Sequence, residues 1–260
     1  MTRRPVPFPL APVLAGFLLV PLAPALGLAC EVRVDDPGVV FPLEKMEREA
    51  VCRLASVVND YSTHRVMPPV LTPVQKGIYD FLLDHPVLTA LLVRNLVLAD
   101  YRVSRAGPDT WNADDGQGAE GLITPLYQDT TRRVYHMKGT HRGRFFPLIT
   151  GEAIVMLNYH AKAGADGREH VETRIIAYSK LDNPVLAMLV RVLQPILRRV
   201  VNDKLTRAFI IVHKLGELMA SDPEQVYRQV EITPEVDPAD VEALRAKLLP
   251  SLKKGDAVSR

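Results

Sequence analysis

The sequence predicts an α+β fold in which an antiparallel sheet closes over one long C-terminal helix, with extra helices ahead of the sheet. Three observations predict it. From Pro195 onward, Leu197, Val201, Leu205, Phe209, Val212, Leu215 and Met219 recur every three or four residues, one helical turn, and so form a single apolar stripe. Arg198, Arg199, Asp203, Arg207, Lys214 and Glu217 fill the opposite side, which can face water. Between Tyr101 and Lys180 the texture is instead β-branched and aromatic, cut into short runs by turn chemistry. Short links between successive strands favour antiparallel pairing, because parallel strands need long crossovers.

The chain opens with a stretch that reads as an export leader rather than as part of the fold. Arg3 and Arg4 precede the apolar run Val13 to Val20, and Ala23-Pro24-Ala25 supplies a small-residue cleavage site. The prolines from Pro5 to Pro24 each remove a backbone donor, which argues against a stable spanning helix. Cys30 and Cys52 then stand close behind the leader. In an oxidising compartment they are candidate disulfide partners. Alternatively, Leu26-Gly27-Leu28-Ala29-Cys30 resembles a lipobox with Cys30 as the lipidated first residue, although Gly27 stands where that motif has Leu. The expected destination is the periplasm or the exterior.

Leu43 to Asn59 carries a helical period, with Leu43, Met46, Ala50, Leu54, Val57 and Val58 on one face. Met67 to Pro73 reads as a stiff proline-rich connector, and Thr72-Pro73 as the cap and first position of a further helix. His85-Pro86 ends that helix, and a very apolar one follows from Val87 to Leu98. The predicted strands are 101–105, 122–127, 131–139, 145–161 and 170–180, and Gly164-Ala165-Asp166-Gly167 is the clearest hairpin turn. Asp222-Pro223 and Asp237-Pro238 look like caps followed by first-turn prolines, the second opening a short helix from Ala239 to Leu249. Four segments result: a leader over 1–29, a helical segment over 30–98 packed on the main domain, the main domain over 99–221, and a C-terminal extension over 222–260.

Composition excludes little beyond disorder and strongly basic surfaces. The apolar fraction of 47% suits a globular core, and the net charge of +2 gives no global bias toward nucleic acid. Gly116-Gln117-Gly118-Ala119-Glu120-Gly121 satisfies GxGxxG, but a dinucleotide site needs a helix after it and Leu122 to Pro125 is strand-like. The motif therefore reads as a loop between strands. His136, His141, His160 and His170 show no metal-ligand spacing, so no metal and no cofactor are expected. No nucleophile elbow or phosphate loop is present in the sequence, and no catalytic residue is assigned.

Two apolar stretches carry more information. From Glu152 to Tyr159, Ala153, Val155, Leu157 and Tyr159 fall on one strand face while Ile154 and Met156 fall on the other. A half-exposed strand would alternate with polar residues, so both faces are covered or line something apolar. Pro184 to Leu193 has no polar face except Arg191, and Pro195 is expected to kink it away from the amphipathic half. That first half would border a cavity mouth and touch membrane transiently, or pack under Val87 to Leu98.

Helices, an antiparallel sheet and one long terminal helix, with Val171 to Asn183 running into Pro184 to Leu218, resemble the START-like (SRPBCC, helix-grip) superfamily over residues 101–220. The resemblance implies a curved sheet holding a hydrophobic cavity against the helix, used for lipids, sterols or polyketides. It implies no catalytic set, because that superfamily shares none. The superfamily's first strand has no obvious counterpart here, and the helices from Leu43 to Leu98 exceed the minimal pattern. The leading expectation is an exported protein that binds a hydrophobic small molecule or lipid without chemistry. Tyr101, Trp111, Tyr135, His136, Met137, Met156, Tyr159, Tyr178, Met188 and Val192 are the cavity candidates. A second expectation is a cyclase- or hydrolase-like enzyme using Tyr135, His136 or His141 in the same cavity. A third is an envelope scaffold with a solid core.

Overall fold

A computed structural model describes residues 30–143, 148–182, 184–233 and 236–249, with side chains in the long helix from residue 198 onward. A short 3-10 turn, Leu43–Lys45, leads into α1 (Arg48–Val58). Strands β1 (Thr63–Val66) and β2 (Val70–Thr72) come next, then α2 (Lys76–Asp84) and α3 (Pro86–Asn95). The sheet continues with β3 (Arg102–Gly107), β4 (Thr110–Asp114), β5 (Ala119–Gln128), β6 (Arg132–His141), β7 (Ile149–Ala163) and β8 (Glu169–Leu181). Helices α4 (Pro184–Ser221), α5 (Pro223–Glu231) and α6 (Pro238–Leu248) close the chain.

All pairings are antiparallel, in the order β1-β8-β7-β6-β5-β4-β3, with β2 also on β8. The sheet is thus a meander from β3 to β8, whose far edge is capped by two short strands from the N-terminal region. Those two strands replace the predicted stiff connector, and they join residues 63–72 to the sheet rather than leaving 30–98 purely helical. They lie between α1 and α2, where the sequence pattern shows no strand. Pro68 and Pro69 fall in the gap between β1 and β2, an edge position where no ladder donor is needed. Thr72 is therefore a strand residue, and α2 begins at Lys76, whose amide donates to the Glu169 carboxylate at 2.6 Å.

Both faces of the sheet are covered, as the apolar pattern of β7 requires. On the outer face Val134, Ile154, Met156, Ile176 and Tyr178 pack against Phe41 and against Leu54, Val57 and Val58 of α1. The Cys30–Cys52 disulfide ties the segment ahead of α1 to that helix. On the inner face Tyr159 and Val171 meet α2, α3, the C-terminal half of α4, and α5 and α6. There Phe209, Ile211, Leu215 and Met219 are buried, so the predicted stripe of α4 does seat on the sheet. Helix α4 runs as one element across Pro195. A proline removes a single backbone bond, which a helix of 38 residues can absorb. Asp222 and Asp237 cap α5 and α6 through bonds of 2.9 Å from Gln225 and Ala239. The leader at 1–29, the start of the predicted strand at 145–147, and Met188 and Val192 as side chains lie outside the described residues.

Candidate functional site

Strand register decides what the inner face can hold. Side chains alternate across a strand, so cross-strand partners of like parity share a face. Ala113, Gly121, Gly139 and Gly151 are consecutive partners on β4, β5, β6 and β7. The neighbouring row runs Ile123, Met137, Ala153 and Ser179, and the next Tyr135, Val155 and Ala177. Small residues dominate these rows, which leaves the middle of the inner face with little side-chain volume. Further along the same face Arg133, Leu157, Tyr159 and Val171 are large and are met by the helices.

The inner face is consequently solid at one end and hollow at the other. The hollow measures about 500 Å³ and is roofed by Val200, Val201, Lys204 and Leu205 of α4. Its floor includes Met137, Ala153, Val155 and Ala177, and Tyr101 and Val103 form a side wall. The glycines also let the strands approach closely. A Cβ on Gly139 would overlap the Glu120 carbonyl oxygen and stand 2.8 Å from the Gly121 Cα. A Cβ on Gly121 would stand 2.6 Å from the Gly139 Cα. Glycine in a strand interior commonly marks such a bend or close approach.

Polar groups gather at one rim. The GxGxxG stretch forms the β4–β5 turn and the first residues of β5, with a strand rather than a helix after it, and Gly116 and Gly118 stand at φ +66 and +89. Asp115 organises this loop by accepting from the amides of Gln117 (2.8 Å) and Ala119 (3.0 Å) through one oxygen. Its other oxygen pairs with Lys204 of α4, joining the loop to the roof. Burial pushes the Asp115 carboxyl up, but Lys204 and the two amides outweigh it and hold the pKa below the ordinary value. His141 lines the same rim, and its Nδ1 is buried with no hydrogen-bond partner among the described residues. Burial, then the Lys204 charge, lowers its pKa against the opposing pull of Asp115, so the ring is neutral near pH 7.

A second depression of about 420 Å³ lies between α3 and β3–β5. It shares Tyr101, Val103, Ala113 and Gly121 with the hollow, so Tyr101 stands between the two.

The structure redistributes the predicted cavity residues. Tyr101 and Met137 line the hollow. Trp111 pairs with Ile123 on the same face but lies beyond the lining. Tyr135 shares that face at the border with the solid half, where burial pushes its hydroxyl up to about 12 despite the nearby Arg133. Tyr159 belongs to the solid half, its hydroxyl accepting from Arg133 Nε at 3.3 Å. His136, Met156 and Tyr178 are on the outer face, a correction that follows from the one-residue alternation of β6, β7 and β8. His136 Nε2 meets the Glu152 carboxylate at 3.0 Å, and Tyr178 stacks on His64 with ring centroids 4.3 Å apart. His141, the cavity group of the second expectation, lines the hollow, whereas Asp115, Lys204 and the glycine row have no counterpart among the sequence-based candidates. Only the strand register shows that Gly121, Gly139 and Gly151 adjoin.

Among the described residues no group of three His, Cys, Asp or Glu side chains is arranged to hold a metal ion, and no helix is long and apolar enough to cross a membrane. No protein-family model matches the chain, and no curated protein matches it in sequence. Among solved structures the chain is similar to the di-domain ARO/CYC BexL from the BE-7585A biosynthetic pathway. That match has 12% identity and a TM-score of 0.40 over 65% of this chain and 55% of that one. It is also similar to Ara h 8.0201, with 12% identity and a TM-score of 0.38 over 59% of this chain and 98% of that one. The chain spans about half the length of the BexL chain. The helix-grip layout here is carried by the chain's own strand register and by the seat of α4 over it.

Proposed function

We propose that this protein binds a hydrophobic small molecule, lipid-like in character, in the hollow between the sheet and α4, and holds it without chemistry. The observation that supports this reading most is the hollow itself: about 500 Å³ over a floor that includes Met137, Ala153, Val155 and Ala177, with the Asp115–Lys204 pair joining the β4–β5 turn to its roof. Pockets of roughly 300–1,000 Å³ with apolar walls and few polar groups are the usual form of small-molecule sites. Burial of apolar surface, at about 25 cal/mol per Å², would supply most of the affinity. Asp115, Lys204 and His141 stand where a polar head would emerge.

Export belongs to the same proposal. The Cys30–Cys52 disulfide favours an oxidising compartment. It also engages the sulfur that a lipoprotein anchor on Cys30 would need.

Mass spectrometry of organic extracts from the purified protein tests the reading, together with uptake of a fluorescent fatty acid. Ala153→Phe fills the floor without touching the rim and is expected to abolish uptake while the protein stays folded. Protein that is empty and takes up nothing, or an Ala153→Phe variant that binds as wild type does, would sink the proposal. A cyclase- or hydrolase-like enzyme is the second reading, favoured by the unpartnered His141 Nδ1 beside the Asp115 charge. Recovery of chemically unchanged ligand after long incubation would count against it.

A further inference from the structure

The chain leaves α3 through Val97, the one non-glycine residue with positive φ (56°) among the described residues. The residue is 89% exposed. A β-branched residue is strained in this region, where glycine or asparagine is at ease. The turn does not need valine: its bonds, Val97 N to Arg94 O and Leu98 N to Val93 O at 2.9 Å each, use backbone atoms alone. An apolar side chain that is strained by its backbone and also left in water invites a functional reading.

Two features adjoin it. Asn95 Nδ2 donates to Thr233 Oγ1 at 2.8 Å and to Gln229 O at 3.1 Å, tying the end of α3 to the end of α5. Next to Thr233 stands Ile232, 72% exposed, a second large apolar group on the adjoining turn. One residue before Asn95, Arg94 is exposed, forms no ion pair among the described residues, and lines the depression between α3 and the sheet. That depression adjoins the main hollow across Tyr101 and Val103.

We infer that the joined ends of α3 and α5 are a docking face for a lipid bilayer. Val97 and Ile232 enter the acyl boundary, Arg94 meets lipid phosphate, and the depression is the side route into the hollow. The inference rests on the hydrophobic-ligand reading, because a water-insoluble ligand is collected from a membrane. A lipid also suits this face better than a protein partner does: the cation beside the apolar pair matches a phosphate headgroup, and the route behind it leads to an apolar interior.

The test places an environment-sensitive fluorophore on Ile232→Cys and, as a control, on Ala163→Cys at the β7–β8 hairpin, leaving the disulfide intact. Vesicles are phosphatidylcholine alone or mixed equally with phosphatidylglycerol. The label at position 232 is expected to shift to the blue on vesicles, more so with phosphatidylglycerol, and the label at 163 to stay unchanged. Val97→Asn should weaken vesicle partitioning read at position 232 about tenfold. The same substitution should raise the melting temperature, because the backbone strain is relieved, and leave uptake of soluble fluorescent fatty acid unchanged. No shift at 232 on either kind of vesicle, or equal partitioning of wild type and Val97→Asn, overturns the docking face. A protein that docks with the expected Val97 dependence yet takes up no fatty acid supports the docking face and sinks the cavity reading.

Discussion

Replacing Gly139 by alanine tests whether the glycine row is a structural requirement of the bent sheet. The added Cβ would overlap the Glu120 carbonyl oxygen and stand 2.8 Å from the Gly121 Cα, both backbone atoms of β5. Backbone within a paired strand cannot swing aside as a flexible side chain can, so relief requires β5 and β6 to part locally. Forced insertion of a methyl group costs about 1–3 kcal/mol, and a weakened ladder bond about 1 kcal/mol more. For a domain of this size that corresponds to a fall in melting temperature of roughly 4–16 °C. Gly77→Ala is the control: nothing lies within 4 Å of the added atom, and the site is in α2. There alanine should stabilise by about 0.5–1 kcal/mol, because it restricts the unfolded chain and favours helix. Thermal unfolding followed by circular dichroism reads both. A Gly139→Ala protein that melts with wild type would refute the close approach of β5 and β6 and the explanation of the hollow built on it.

Other outcomes follow from the same contacts. Asp115→Asn keeps the oxygen that accepts from Gln117 and Ala119 and loses only the pairing with Lys204. It should cost about 1 kcal/mol near neutral pH, since the pair is partly exposed. Because the folded-state pKa of Asp115 is depressed, this contribution is present above the ordinary aspartate pKa of about 3.9 and disappears as pH falls through the folded value. Urea unfolding at several pH values should therefore show wild type and variant converging in acid. A difference that persists unchanged below that value would contradict the assignment. On the outer face the Tyr178 hydroxyl is buried without a partner among the described residues, and burial pushes its pKa up to about 12. Tyr178→Phe should leave stability unchanged or raise it by up to about 1 kcal/mol, whereas a loss of several would reveal a bond to that hydroxyl.

Much of the fold was legible because it rests on local chemistry. The stripe from Val201 to Met219, the caps at Asp222 and Asp237, the break at His85-Pro86 and the hairpin at Gly164 to Gly167 are each decided by a few neighbouring residues. The dense apolar alternation of β7 likewise announced that both sheet faces would be covered. Residues 63–72 were misread because β1 and β2 are too short to show a period, and their pairing with β8 lies about a hundred positions away. The candidate site was legible only in part. Tyr101 and Met137 line the hollow, but aromatic or thioether character says nothing about strand face, which is why Met156 and Tyr178, expected in the cavity, lie on the outer side instead.

The sequence by itself determined an antiparallel sheet followed by a gripped helix, since periodicity and turn residues act over short distances. Tertiary structure decided where that fold is empty. Gly121, Gly139 and Gly151 are separated in the chain and unremarked as individual residues, yet strand register lines them up beneath α4. A cavity is a property of what neighbouring strands fail to supply, and only the pairing of those strands brings the missing side chains together.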